Sequence, residues 1–187
     1  MKIGFLLGSF DPIHIGHVQM INSVLNSDFD KVIVVPTVQN PWKKYQPTKF
    51  EYRCQMIENA ISHFGDKCCL SKDELLVDGT HYSYKVLSLL REKYKGNELF
   101  IIAGSDCVND IPKWKNYNSD IEPYFSIAGL KRNKMDKIPD YAIPIDQDIV
   151  IPISSTYIRR MVKENKIFFP YINAENEKLI KKLNLYH

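Results

Sequence analysis

Apolar residues fall in two alternating patterns along the chain. Continuous apolar runs at 2–7 (KIGFLL), 31–37 (KVIVVPT) and 98–104 (ELFIIAG) read as strands buried on both faces. YFSIAGLKR (124–132) and IVIPISST (149–156) predict two more strands, and CCLSKDELL a short strand running into a loop. Between the strands, apolar positions recur at helical spacing: Val18, Ile21, Val24 and Leu25 within 14–27, and Cys54, Ile57, Ile61 and Phe64 within 49–64. Residues 83–94 form a further helix, which Ser83 is placed to cap, and TYIRRMVKENK continues the last strand as a helix. The final stretch, NAENEKLIKKLNLY, is amphipathic and begins at a capping residue, Asn173. Such alternation predicts an α/β chain: a doubly wound parallel sheet with crossover helices. One domain is expected over 1–187, with a small helical part from about 154 to 187. The segment 131–144 (KRNKMDKIPDYAIP) is the best candidate for a mobile loop.

Composition narrows the function classes. A length of 187 residues and 44% hydrophobic content suffice for one sizeable core. A net charge of +3 is too slight for a general binder of nucleic-acid polymers, so the clusters Lys43–Lys44, Lys131–Arg132 and Arg159–Arg160 have to be read one at a time. The four cysteines make no Cys-x-x-Cys pair and are read as thiols in a reducing cytosol. The apolar start is too short before its turn to be a signal peptide, and no run approaches the ~18 apolar residues of a membrane span. The expected location is the cytoplasm, without membrane attachment.

In doubly wound sheets ligands bind at the carboxyl ends of the strands. Segments 8–17, 37–44, 104–114 and 154–160 lie there. The first, GSFDPIHIGH, places Gly8 where backbone can approach a ligand closely, and the helix that follows offers its positive end to an anion. His14 and His17 are three apart and share one face of a first helical turn, with Gly16 leaving room between them. On chemistry alone the two imidazoles are either donors to phosphoryl oxygens or incidental surface residues. A metal site would want a third ligand that the neighbouring sequence does not clearly supply, so no metal ligands are assigned. ISST (153–156) is either an ordinary helix cap or a second phosphate-binding turn.

Taken together, GSFDPIHIGH and ISSTYIRR (153–160) resemble the two signatures of the nucleotidylyltransferase superfamily, in the expected order. The middle of the chain resembles the nicotinate/nicotinamide mononucleotide adenylyltransferases, especially the bacterial nicotinate-nucleotide enzymes. PTVQNPWK (36–43) is similar to that family's loop after the second strand, and Arg53 stands where the family has an arginine. DELLVDGTHYSYKVLSLLREKY (73–94) and FIIAGSDCVNDIPKWKNY (100–117) resemble two further family segments, so the likeness covers roughly residues 1–172. The chain departs from the pattern at Trp42, at His81 and Ser83, and in LKRNKMD where the bacterial family has Arg-Pro-Gly. These departures fall around the pyridine pocket, so they bear on nicotinate against nicotinamide preference rather than on the chemistry.

The resemblance implies a Rossmann-like fold and an adenylyltransferase that joins a pyridine mononucleotide to the AMP of ATP, releasing pyrophosphate, in NAD biosynthesis. It implies that His14, His17, Lys43 and Arg159 are catalytic. Gly8, Ser9, Phe10, Gly16, Asp106, Ser154, Ser155 and Thr156 would hold ATP. Tyr82, Ser83, Trp114 and Arg53 would hold the mononucleotide, with Trp114 stacking on the pyridine ring. Mg²⁺ would arrive on the ATP phosphates rather than in a protein cage. Family members are often homo-oligomers. Phosphopantetheine adenylyltransferase, the cytidylyltransferases and a non-catalytic nucleotide sensor are the competing readings.

Overall fold

The computed structural model describes residues 1–39, 46–133 and 135–187. Lys43 and Trp42 therefore lie outside the described residues. Among those described, six strands form one parallel sheet: β1 (Lys2–Gly8), β2 (Lys31–Pro36), β3 (Cys68–Leu70), β4 (Glu98–Gly104), β5 (Ser126–Leu130) and β6 (Ile143–Pro144). Their order is β3-β2-β1-β4-β5-β6. The chain winds outward from β1 in one direction, then returns to the middle and winds outward in the other. The reversal falls between β1 and β4, and that gap at the strands' carboxyl ends is where such folds bind ligands.

Helices α1 (Ile15–Leu25), α2 (Phe50–Ile61), α3 (Ser83–Lys93), α4 (Ser105–Val108), α5 (Ser155–Lys163) and α6 (Ala174–Lys182) cover the two faces. Successive side chains of each strand point to opposite faces, so the continuous apolar runs feed two cores. Leu6, Val32, Val34, Phe100 and Ile102 pack with α1, α2, α5 and α6. Phe5, Ile33, Val35 and Ile101 pack with α3 and the segment around Ile111 and Ile121. A sheet buried on both sides has no use for polar alternation, which is why these strands were legible.

Two expectations change. Residues 149–154 form no strand; they lead to α5 without regular secondary structure, and the outer strand is the short β6, which falls inside the segment expected to be loop. Ile149 is exposed, so the apolar pattern there does not mark a buried strand. Ser83 is the first residue of α3 rather than its cap; Tyr82 is the cap and makes no side-chain capping bond. After β5, the Asp136 carboxylate accepts from the Ser105 hydroxyl and from the backbone N–H groups of Arg132 and Asn133.

Candidate active site

A cavity of about 750 Å³ opens at the β1/β4 switch point. Its floor is the ends of β1 and β4, and its walls are the turn after β1, the starts of α4 and α5, and Trp114. Nearly all the residues singled out in the sequence meet there: Gly8, Ser9, Phe10, His14, His17, Ser83, Asp106, Trp114, Ser154, Ser155, Thr156 and Arg159 all line it.

The turn from β1 to α1 is built around the two histidines. His14 is the N-cap of α1. Its Nδ1 accepts the backbone N–H of His17 at 3.4 Å, and the Nδ1 of His17 accepts the backbone N–H of His14 at 3.3 Å. The rings stack with centroids 3.7 Å apart. This reciprocal cap satisfies two helix-end donors and also fixes chemistry. A ring nitrogen that accepts cannot carry the proton, so each imidazole holds its proton on Nε2 and presents it as a donor. His14 is only 2% exposed. Burial first, and the positive charge of Arg132 second, push its pKa down to about 3, so it stays neutral. Phe10, with backbone in the left-handed region (φ 47°), sets its ring edge-on to His17 at 5.0 Å. Gly16 allows close packing at the start of α1. A Cβ there would stand 2.9 Å from Ile153 and 3.2 Å from the His14 ring, so glycine lets α1 press against both.

The start of α5 is stitched to the same turn. Ser154 caps the helix by accepting from the Tyr157 N–H at 3.2 Å. The Ser155 hydroxyl donates to the Pro12 carbonyl at 2.9 Å. Arg159 donates to the Asp11 carbonyl at 2.7 Å and to the Thr156 hydroxyl at 3.1 Å. These bonds place a guanidinium and a helix N-terminus on the wall facing the histidines.

Three expected residues lie elsewhere. Gly16 and Tyr82 do not line the cavity. Neither does Arg53, which is fully enclosed. Its guanidinium donates to the carbonyls of Thr48, Ser9, Thr37 and Val38 at 2.7–3.0 Å, joining the loops after β1 and β2 to the entry of α2. A buried cation is stable here because carbonyl oxygens replace its water.

Several cavity residues were missed, Asp110, Lys113 and Arg132 among them. Arg132, just after β5, extends over the cavity and contacts Asp106 at 3.3 Å. Its Nη1 is enclosed with no hydrogen-bond partner among the described residues. Gly104 makes this approach possible, since a Cβ there would stand 2.6 Å from Asp106 and 2.8 Å from Arg132. The available signal was Lys131–Arg132 at the carboxyl end of a predicted strand.

Among the described residues no group of three His, Cys, Asp or Glu side chains is placed to hold a metal ion, and no helix is long and apolar enough to cross a membrane. The carboxylates Asp106 and Asp110 each face a cation, Arg132 and Lys113, at 3.3 and 2.8 Å.

Comparison with known proteins agrees with this geometry. A family profile described as cytidylyltransferase-like matches residues 5–161. A probable nicotinate-nucleotide adenylyltransferase of Flavobacterium psychrophilum is 32% identical over 191 residues, covering 100% of this chain and 99% of that protein. One of Clostridium tetani is 33% identical over 193 residues, covering 96% of each. The solved Plasmodium falciparum nicotinic acid mononucleotide adenylyltransferase complexed with NaAD superposes with a TM-score of 0.80 at 23% identity, over 99% of this chain and 97% of that one, and so shares the fold. The paired-histidine turn, the Arg159 helix and these full-length likenesses place the chain in the nicotinate-nucleotide adenylyltransferase family.

Proposed function

We propose that this protein transfers the adenylyl group of ATP to nicotinate mononucleotide, releasing pyrophosphate, in NAD biosynthesis. The observation that carries the reading is the reciprocal histidine cap, which engages both Nδ1 atoms and so leaves each proton on Nε2, in two residues that line the same cavity as Arg159. The mononucleotide phosphate attacks the α-phosphorus; a new P–O bond forms as the bond to the bridging oxygen of the β-phosphate breaks. The electron pair leaves on pyrophosphate. The attacking group is already an anion, so no strong base is required, and catalysis reduces to alignment and charge stabilisation.

His14 and His17 donate to the α- and β-phosphate oxygens. Arg159 and the N-terminus of α5, with Ser155 and Thr156, receive the pyrophosphate end. Lys43 joins them as a point charge. Arg132 adds a second guanidinium, with its enclosed Nη1 available to an oxygen. Asp106 takes a ribose hydroxyl of ATP. Mg²⁺, carried in on the ATP phosphates, would supply further charge neutralisation there, with no side chain assigned to hold it. Arg53 acts behind the site, by fixing the loops. Function in the cytoplasm agrees with the use of thiols and this small-molecule chemistry.

The far end of the cavity, between Trp114 and Ser83, receives the pyridine ring. Helix α3 begins at Ser83, so its positive end faces this region and favours a ring carboxylate over a carboxamide. The test is pyrophosphate release with ATP and Mg²⁺, run with nicotinate mononucleotide, nicotinamide mononucleotide and phosphopantetheine in parallel. The expected kcat/KM is highest for the first. Equal values for the two pyridine nucleotides would remove the carboxylate preference, and turnover of phosphopantetheine alone would overturn the assignment.

A further inference from the structure

The C-terminal turn reaches the catalytic loop. After α6, the chain folds back through Leu185, whose N–H donates to the Ile180 carbonyl at 3.0 Å. Asn184 and Tyr186 both take left-handed backbone, with φ of 50° and 69°. That conformation is unfavourable for an aromatic residue and needs compensating contacts. The contact is specific: the Tyr186 hydroxyl donates to Asp11 Oδ1 at 2.8 Å. Asp11 is 2% exposed, and its other oxygen accepts the Thr48 N–H at 3.2 Å. The Asp11 carbonyl accepts from Arg159. One residue in the motif thus joins the tail, the entry to α2 and the phosphate-facing guanidinium. Helix α6 delivers the tail from a fixed base, because buried Asn176 donates to the Met56 carbonyl at 2.8 Å and accepts from Asn59 at 2.9 Å.

We propose that Tyr186 is a positioning residue for adenylyl transfer: its hydroxyl fixes the Asp11 carboxylate and, through it, the turn that presents Arg159 and the imidazole pair to the phosphates. Burial and the nearby Asp11 charge hold the phenol well above its ordinary pKa, so it remains a donor at every working pH. The inference rests on reading this cavity as an adenylyl-transfer site.

The test is Tyr186→Phe, which keeps the ring against the core and removes only the hydroxyl. We expect kcat to fall about tenfold with the mononucleotide KM held within about twofold, since small displacements of positioned groups act on the transition state. The loss is expected to persist in assays at 10 °C. An unchanged kcat, or a loss that vanishes in the cold, would mean that the hydroxyl only docks the tail and would overturn the proposal. If wild-type protein turns over neither pyridine mononucleotide, the transfer reading has failed instead. Affinity for a non-hydrolysable ATP analogue then decides: several-fold weaker binding by Tyr186→Phe supports the positioning role, and equal binding refutes it.

Discussion

The two walls of the cavity are built differently. On the wall after β1, His14 and His17 are locked by backbone N–H groups three residues away, and His14 is buried. On the wall after β4 and β5, Asp106, Asp110, Lys113 and Arg132 are held chiefly by one another, on short helical turns and at a strand end, and are partly or largely exposed. Groups fixed by their own backbone need no reorganisation when charge develops. Groups that hold each other in ion pairs must exchange partners to bind a ligand. The first wall is suited to stabilising a transition state, the second to gripping and releasing substrates.

That contrast can be broken by mutation. His17→Ala is expected to lower kcat about 10²-fold with folding intact, as for loss of one fixed transition-state donor. A near-normal rate in a steady-state assay would remove the distinction. Arg132→Ala should cost less, raising the KM for ATP about tenfold with a smaller change in kcat, because it deletes a charge that Asp106 already partly neutralises. An effect on kcat as large as that of His17→Ala would place Arg132 with the histidines.

The smallest effect concerns two buried titratable groups, whose pKa values burial moves in opposite directions. His14 stays neutral. Glu74, 1% exposed, accepts the Val38 N–H and is pushed up to about 7 by burial. His81 Nδ1 stands 3.4 Å from it without forming a hydrogen bond among the described residues. Glu74 in the folded chain holds its proton from its ordinary value of 4.5 up to about 7. The folded state therefore binds more protons than the unfolded state in that window, and stability falls as pH rises through it. Glu74→Gln should abolish that fall, adding on the order of 1–2 kcal/mol at pH 8 and almost nothing at pH 4. Urea midpoints at the two pH values check this.

What could be read from the sequence follows the same division. GSFDPIHIGH and ISST were legible because each opens a helix with a cap formed by residues close in the chain, although the Ser155–Pro12 bond that joins them spans 143 positions. β1, β2 and β4 were legible because burial on both faces demands unbroken apolar runs. Arg132 and Tyr186 were not, since their meaning lies in partners 26 and 175 positions away. Arg53 was noticed for its position but misplaced, because nothing in EYRCQM tells a buried clamp from a ligand contact. Residues 149–154 misled because their isoleucines carry the pattern of a strand while Ile149 is exposed and Ile151 and Ile153 are only half-buried, with no neighbouring strand to pair with among the described residues.

The buried Arg53 ties together strand ends that would otherwise fluctuate separately. Four carbonyls from three stretches of chain share its guanidinium. Loops so joined stiffen or soften as one body, and the ordering they undergo happens when the chain folds rather than when a nucleotide arrives. Affinity is then spared a conformational penalty at each encounter. Warming this protein should loosen the rims of β1 and β2 together, so that substrate affinity is lost abruptly rather than loop by loop.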